Sequence, residues 1–300
     1  MARATIHTTR PDTLEIEYET FGSANDPALL LVMGFAVQLI HWDTELCERL
    51  ADAGRYVIRF DNRDIGLSGK LDGDHVDPMA VLAAVLAGEP LPAVPYTLSD
   101  MANDGIGLLD ALGIERAHVM GASMGGMIVQ TMAIEHPDRL LSVTSIMSAP
   151  GDPHVGAPTS EALQVLLTPP PTERDAFVDA TERTQVWCSR RYFDADVVRS
   201  RAAHSFDRSF YPEGLTRQLA AIYASGDRSS ALRGVTTPTL VIHGRDDTLI
   251  TPSGGVATAE AIPGAHLLLL ADMGHDLPRQ MWPIIVPSIV AFTAAAAAAA

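Results

Sequence analysis

The stretch Gly121-Ala122-Ser123-Met124-Gly125 decides the fold, because an apolar run precedes it at 117–120 and an apolar helical pattern follows it at 126–134. This order of strand, sharp turn and helix makes specific a Gly-x-Ser-x-Gly pattern that is weak when it stands alone. The glycines leave room around the turn, so we expect the Ser123 hydroxyl to lie exposed at its apex. The Met124 amide then points at the same place from a helix N-terminus, which favours a developing negative charge.

A glycine-rich phosphate loop or an ordinary turn is the alternative reading of this stretch. No lysine follows the glycines in the way that phosphate-binding loops require. The pattern therefore favours a nucleophilic serine.

The composition of the 300-residue chain limits its partners. With 47% hydrophobic residues, it can bury one large core, or a core with an inserted subdomain. The formal net charge of −16 argues against nucleic-acid or anionic-membrane partners. Cys47 and Cys188 lack the spacing of metal ligands, so we expect free thiols in a cytoplasmic protein.

The apolar segments predict neither a signal peptide nor membrane insertion. Residues 1–20 lack the apolar core of a signal peptide. The longest apolar runs, 28–33 and 267–271, have the length of strands and are too short to span a bilayer. The alanines at 294–300 predict a continuation of the last helix or an added tail.

Short apolar runs alternate with helical patterns along most of the chain. Besides the strand and helix around Ser123, strands are predicted at 28–33, 55–60, 140–147, 238–243 and 265–271, with a half-exposed strand near the sheet edge at 13–20. Helices are predicted at 43–53, 97–112, 252–261 and 281–293. This alternation indicates an α/β fold with a mostly parallel sheet and helices on both faces.

The composition changes between residues 150 and 234, where proline clusters, arginines and helical patterns occur without a convincing strand. We therefore predict a helical insertion at 150–234 in a core formed by 1–149 and 235–300. A shorter apolar segment bracketed by prolines, 74–95, is either a flap over a pocket or a surface excursion packed on the core. Both readings stay open.

Candidate site residues follow the predicted strands where they end. In an open α/β sheet, sites form at the carboxyl ends of the strands. Ser123 follows one strand, Asp246 and Asp247 follow another, and His275 follows the last. A serine, an acid and a histidine in this chain order supply a nucleophile, a carboxylate that orients the base, and the base itself.

Three motifs resemble the serine esterases of the α/β-hydrolase family: Gly-Ala-Ser-Met-Gly-Gly at 121–126, His-Gly-Arg-Asp-Asp at 243–247 and Gly-His at 274–275. The resemblance covers essentially the whole chain and puts the insertion where that family carries its helical cap. Met33-Gly34 stands where many members have His-Gly. With the loop at 61–68, this pair is similar to actinobacterial carboxylesterases and to aclacinomycin methylesterase.

The resemblance implies a catalytic triad of Ser123, Asp247 and His275. Its strand-Gly-x-x-Asp pattern falls on Asp247 rather than Asp246, and neighbouring residues of an extended loop point in opposite directions. Asp152, which follows the preceding strand, is a third candidate for the acid.

The resemblance also implies an oxyanion hole formed by the backbone amides of Phe35 and Met124. The Phe35 side chain is then free to shape a pocket wall. We expect Gly34, Phe35, Met124 and Trp187 to contact the substrate, and we expect no metal site and no cofactor.

The expected activity is hydrolysis of carboxylic esters through an acyl-enzyme intermediate. The apolar flap and cap predict a small-to-medium hydrophobic ester, with a short acyl chain or as the methyl ester of a larger ring system. Epoxide hydrolases and haloalkane dehalogenases of this fold carry an aspartate at the elbow, so the serine disfavours those reactions.

Other activities and other classes of protein remain as alternatives. The same triad also suits a lactone, a thioester, an N-terminal proline amide or cofactor-free perhydrolysis. A ligand receptor that keeps the hydrolase shell and a structural subunit with a degenerate site are alternatives from other classes. The sequence leaves the oligomeric state open, a homodimer included.

The remaining histidines have structural explanations. His118 lies within a predicted strand, His136 at the end of a helix, and His243 in the turn before the acid. We expect His41 and Trp42, which follow the oxyanion loop, to pack in the core rather than to touch substrate.

The loop at 61–64 could be mistaken for a metal site, but Asp61 and Asp64 are expected to pair with Arg63 in a stabilising network. The aromatic residues of the insertion are expected to be mostly core, with one or two facing the site: Trp187, Tyr192, Phe206 and Phe210.

Overall fold

A computed structural model describes residues 1–299 of the chain. Its strands are β1 (Ala2–His7), β2 (Thr13–Phe21), β3 (Ala28–Val32), β4 (Tyr56–Phe60), β5 (Ala117–Ala122), β6 (Leu140–Ile146), β7 (Thr239–Gly244) and β8 (His266–Leu270). They form one sheet in the order β1-β2-β4-β3-β5-β6-β7-β8. The pairs β1–β2 and β2–β4 are antiparallel, and all other neighbours in the sheet are parallel.

The helices connect these strands. They are α1 (Thr44–Asp52), α2 (Pro78–Ala87), α3 (Leu98–Ala111), α4 (Met124–Glu135), α5 (Ser160–Leu167), α6 (Arg174–Ala180), α7 (Ala195–Arg208), α8 (Glu213–Ser225), α9 (Ser229–Leu232), α10 (Pro252–Ala261) and α11 (Trp282–Ala299). The structure describes every residue between β6 and β7, and this segment forms the helices α5 to α9 and no strand. The division into a core and a cap, with a flap at 74–95, stays a prediction.

The central strand β3 shows how the sheet is covered on both faces. All five of its residues are buried, and successive side chains of a strand point to opposite faces. Leu30 and Val32 pack in a cluster with residues of α3 and α4, whereas Leu29 and Leu31 pack with residues of α1 and α11. The predicted α/β fold, with a mostly parallel sheet between two helical layers, is therefore confirmed.

The sheet has an edge strand, β1, that was not predicted. The strand predicted at 13–20 lies one position in from the edge, because β1 pairs along it with Ala2 opposite Tyr18 and His7 opposite Thr13. β1 was not predicted, because most of its residues are exposed and Ile6 is its single buried side chain. Such a strand gains most of its order from pairing with β2 and carries a weak apolar signal of its own.

The last helix runs through the alanines as far as Ala299, and Ala300 lies outside the described residues. The stretch Arg279–Ala298 is long and apolar enough to cross a membrane by length and composition, whereas the longest apolar runs were expected to be too short to span a bilayer. The core helix of a folded domain passes the same test. Ile285 and Ile289 are buried in the cluster on the α1 face of the sheet, so one side of this helix is already packed on the protein.

Two ion pairs have the same geometry in different surroundings. Arg63 binds both carboxylate oxygens of Asp104 at 2.6 Å, and the two side chains are 1% and 2% exposed. Arg174 binds both oxygens of Asp207 at 2.6 Å, with the side chains 46% and 53% exposed. The expected pairing of Arg63 with Asp61 and Asp64 is wrong, because the Arg63 guanidinium pairs with Asp104 on α3 instead.

Candidate active site

Ser123 lies at a strained turn between β5 and α4. Its backbone is left-handed, with φ +56° and ψ −121°, a conformation that is uncommon for a residue with a side chain. A Cβ on Gly121 would overlap the Gly125 carbonyl oxygen, and a Cβ on Gly125 would overlap the Val32 carbonyl oxygen. The two glycines of the pentapeptide are therefore required by the close approach of backbone to backbone on either side of Ser123.

His275 and Asp247 are joined by a hydrogen bond of 2.7 Å between imidazole Nδ1 and carboxylate Oδ2. The other oxygen of Asp247 accepts the backbone N–H groups of Leu249 and Ile250, both at 2.9 Å. Burial acts to raise the pKa of this carboxyl, which is 3% exposed, but the neighbouring His275 and a contact with His243 outweigh burial and leave the pKa below its ordinary value. Asp247 is therefore held as a carboxylate against the ring.

The other two candidate acids lie elsewhere. Asp246 uses its backbone N–H to bind the Met273 carbonyl oxygen, and its side chain makes no hydrogen bond within the described residues. Asp152 accepts the backbone N–H of His154 at 2.8 Å. The structure thus brings Asp247, and neither of the alternatives, onto the imidazole of His275.

The carboxyl ends of the parallel strands bring these loops to one edge of the sheet. The pairs Val32 with Gly121 and Gly244 with Leu270 align the strand ends that precede the Gly34, Ser123, Asp247 and His275 loops. Within residues 1–299, no hydrogen bond joins the Ser123 hydroxyl to His275. Such bonds are often long without substrate and tighten when substrate is bound.

The loop after β3 contacts the serine directly. A Cβ added to Gly34 would lie 3.1 Å from Ser123 Cβ and 3.7 Å from Ser123 Oγ. The next backbone amide, that of Phe35, therefore belongs to a segment packed against the hydroxyl. Met124, the first residue of α4, is buried, and its amide is one of the unpaired N–H groups of the helix N-terminus.

Trp187 contacts the histidine loop through its backbone. Its carbonyl oxygen accepts the His275 N–H at 2.6 Å, and a Cβ on Gly274 would overlap the same oxygen. Nearby, the Ser189 N–H binds Asp276 Oδ1 at 3.0 Å. The segment between α6 and α7 therefore holds the histidine loop through backbone contacts and the Ser189–Asp276 hydrogen bond.

The loop at 61–64 forms a buried polar network whose arginine partners come from the helices between β6 and β7. Asp61 pairs with Arg208 at 2.7 Å, and Asp64 pairs with Arg217 at 2.8 Å. Burial raises the pKa of Asp61, which the nearby Arg208 partly offsets. Within residues 1–299, no group of three or more His, Cys, Asp or Glu side chains is arranged to hold a metal ion.

Three further histidines that the sequence offered have partners away from the serine. His118 binds Ser142 Oγ at 2.8 Å inside the sheet, and His136 binds Asn103 at 2.8 Å on the surface. His243 binds the Ile250 carbonyl oxygen at 2.8 Å and lies 3.5 Å from Asp247 Oδ2, so it helps to hold the acid loop.

The residues His41 and Trp42, which follow the loop at Gly34 and Phe35, are packed inward. Trp42 is fully buried in the core cluster on the α1 face. Burial, together with the nearby positive charge of Arg201, lowers the pKa of His41 to about 3. His41 is therefore a neutral imidazole.

The aromatic residues between β6 and β7 pack in two places. Phe206 and Phe210 stack with ring centroids 4.6 Å apart and pack on Phe177, whereas Tyr192 packs on the core cluster of the α1 face.

Four residues that hold the loops around Ser123 and His275 were not predicted: Asn62, Ser189, Gln218 and Asp276. Asn62 donates to the Met33 carbonyl oxygen at 2.8 Å, and Gln218 accepts the Ala36 N–H at 3.0 Å. Asp276 follows His275 directly, so its place in the chain could have singled it out. Ser189 and Gln218 lie among helices without a motif, and no local signal marks them.

Comparisons with known proteins identify the fold family. The family model of the alpha/beta hydrolase fold matches residues 27–186. The chain is 28% identical to rhodomycin D methylesterase DauP of Streptomyces sp. (strain C5), across 95% of this chain and 97% of that protein. It is 29% identical to rhodomycin D methylesterase DnrP of Streptomyces peucetius, with the same coverage.

A solved structure has the same architecture along nearly its whole length. The crystal structure of the enol-lactonase from Burkholderia xenovorans LB400 superposes with a TM-score of 0.70 and 26% sequence identity. The match covers 94% of this chain and 97% of the enol-lactonase. Since the family model covers more than half of the chain and the eight-stranded sheet has the topology just described, this protein belongs to the α/β-hydrolase fold family.

Proposed function

We propose that this protein hydrolyses carboxylic esters, with Ser123 as nucleophile, His275 as general base and Asp247 as the residue that orients the base. The observation that carries the proposal is the 2.7 Å hydrogen bond between His275 and Asp247 at the sheet edge where Ser123 lies in its strained turn. The methylesterase relatives, which align along almost the whole chain, support the same reaction.

The reaction proposed for this site has two halves. The Ser123 hydroxyl attacks the ester carbonyl carbon while His275 Nε2 takes its proton, and the negative oxygen binds the amides of Phe35 and Met124. The intermediate collapses to an acyl-serine, and the imidazolium protonates the departing alcohol. His275 then takes a proton from water, the resulting attack forms a second tetrahedral intermediate, and its collapse releases the carboxylic acid and restores the serine.

Asp247 has a defined task in this scheme. Because it accepts a hydrogen bond from Nδ1–H, it fixes the tautomer in which Nε2 has a free lone pair. Its charge also stabilises the imidazolium that forms twice in each cycle. Each oxyanion donor contributes about 3 kcal/mol to lowering the barrier in enzymes of this kind.

We propose small-to-medium hydrophobic esters as the substrate class, with methyl esters of larger ring systems foremost. The names of two relatives describe methylesterases, which supports this class. We propose that Gly34, Phe35, Met124 and Trp187 contact the substrate. No cofactor or metal enters the proposed mechanism.

The test is covalent labelling of the serine. A fluorophosphonate should modify Ser123, as mapped by mass spectrometry of the labelled peptide, and labelling should be lost in Ser123→Ala and strongly slowed in His275→Gln. In parallel, p-nitrophenyl esters of increasing chain length and methyl esters of polycyclic acids define the preference. Labelling at another residue would contradict the proposal, and equal rates with every ester would contradict the substrate class.

A second candidate is hydrolysis of a lactone by the same residues, because the enol-lactonase is similar along nearly its whole length. A lactone opens to one hydroxy acid, whereas an ester yields an acid and a separate alcohol. A comparison of kcat/KM for matched cyclic and open-chain substrates decides between the two.

A further inference from the structure

The oxyanion loop contains a residue in an unfavourable conformation. Ala36, one residue after Phe35, has φ +64°, in the left-handed region that residues with a Cβ rarely occupy. Such a conformation persists only where the surroundings hold it. The loop after β3 therefore depends on contacts from other parts of the chain.

Gln218 supplies one of these contacts from α8. Its Oε1 accepts the Ala36 N–H at 3.0 Å, and its Nε2 donates to the Arg63 carbonyl oxygen at 2.9 Å. Gln218 is fully buried. The two partners fix the orientation of the amide, because a flipped amide would place two donors face to face and two oxygens face to face.

The helix that carries Gln218 is itself fixed to the core. Arg217 binds both carboxylate oxygens of Asp64, at 2.8 and 2.9 Å, and both side chains are buried. Gly214 approaches the Asp64 backbone so closely that a Cβ there would overlap its carbonyl oxygen. The position of the Gln218 amide relative to the loop at 61–64 is therefore set by several independent contacts.

The Phe35 amide lies between two backbone groups that side chains hold by hydrogen bonds. On one side, Asn62 donates to the Met33 carbonyl oxygen at 2.8 Å, and on the other Gln218 holds the Ala36 N–H. Asn62 belongs to the core loop after β4, whereas Gln218 comes from the segment between β6 and β7. The direction of the Phe35 N–H thus depends on a side chain far away in the sequence.

We propose that Gln218 is a positioning residue for the oxyanion hole: by holding Ala36 in its left-handed conformation, it aims the Phe35 N–H at the carbonyl oxygen of the substrate. The inference rests on the proposed ester hydrolysis. Gln218 touches neither the substrate nor Ser123 in this scheme. Its effect is on the transition state, where the oxyanion donors are needed most.

The test compares Gln218→Leu with Gln218→Glu. The leucine variant loses the acceptor for the Ala36 N–H, and we expect kcat for p-nitrophenyl acetate to fall about 10- to 100-fold with KM changed by less than about threefold, since a small misplacement of a catalytic group has effects of this size. Because burial favours the neutral acid, the glutamate variant keeps the acceptor for the Ala36 N–H and, through its O–H, the bond to the Arg63 carbonyl oxygen, so it should recover most of that loss.

Gln130→Leu is the matched control, because Gln130 is also a fully buried glutamine, but its amide binds Ser145 and Arg228 rather than the loop after β3. It should lose thermal stability and keep its kcat. Equal losses of kcat in Gln130→Leu and Gln218→Leu, or no recovery with glutamate, would overturn the proposal.

Hydrogen exchange separates this inference from the proposed function. Peptides covering residues 33–39 should exchange faster in Gln218→Leu than in the wild type and in Gln130→Leu, whether or not the protein turns over esters. Unchanged exchange there refutes the positioning role. A wild type without ester turnover and without Ser123 labelling refutes the proposed reaction instead.

Discussion

Replacing Asp247 by asparagine tests the proposed role of His275 as base, because the two oxygens of the Asp247 side chain have different partners. One oxygen accepts the N–H groups of Leu249 and Ile250, and the other binds His275 Nδ1. In Asp247→Asn the carbonyl oxygen of the amide must face the two backbone donors. The amide NH2 then faces the imidazole, whose Nδ1 has to accept, so the proton moves to Nε2 and the base is lost.

The expected loss is large. A triad histidine held in the wrong tautomer, without its carboxylate, lowers kcat by about 10³- to 10⁴-fold. KM for p-nitrophenyl acetate should change much less, because the substrate does not contact Asp247. The fold should persist, since asparagine keeps the shape and both backbone hydrogen bonds, and far-UV circular dichroism checks this.

Asp246→Asn is the control, since it makes the same chemical change one residue away from the imidazole. It should keep kcat within about twofold of the wild type. The reasoning is refuted if Asp246→Asn is impaired as strongly as Asp247→Asn, or if Asp247→Asn keeps more than about a tenth of the wild-type kcat.

Three further predictions concern burial, close contact and pH. Asp104→Asn should lower the free energy of unfolding, measured in urea, by about 3–5 kcal/mol, because it leaves the buried Arg63 without its counter-charge. Asp207→Asn, from the exposed ion pair of equal geometry, should show no measurable change. Similar losses in the two variants would contradict the role of burial. Gly34→Ala should lower kcat about tenfold in steady-state assays, since the added Cβ would lie only 3.1 Å from Ser123 Cβ. An unchanged kcat would contradict this, because it would show that the loop moves without displacing Ser123. The pKa of Asp247 is lower folded than unfolded, so its contribution to stability is present above about pH 4 and lost as pH falls through the folded-state pKa. In urea unfolding from pH 7 to pH 3, the free energy of unfolding of the wild type should exceed that of Asp247→Asn by less as the pH falls. A difference that stays constant over this range would contradict the prediction.

The sequence by itself determined the elements that local physics controls. The Gly-x-Ser-x-Gly turn between an apolar strand and a helix can be predicted because close backbone approach at Gly121 and Gly125 admits no side chain. The buried strands, such as β3, can be predicted because burial on both faces requires an uninterrupted apolar run. The α/β class follows from the alternation of such strands with helices.

Only the tertiary structure decided which distant groups meet. The edge strand β1 is ordered by its partner β2, so its own pattern was too weak to be recognised. The arginines that pair with Asp61 and Asp64 come from α7 and α8, and the nearby Arg63 turns to Asp104 instead. Likewise, nothing around Gln218 marks it as a neighbour of Ala36. A buried charge or amide takes whatever partner the packed helices bring within about 3 Å, and separation along the chain does not encode that distance.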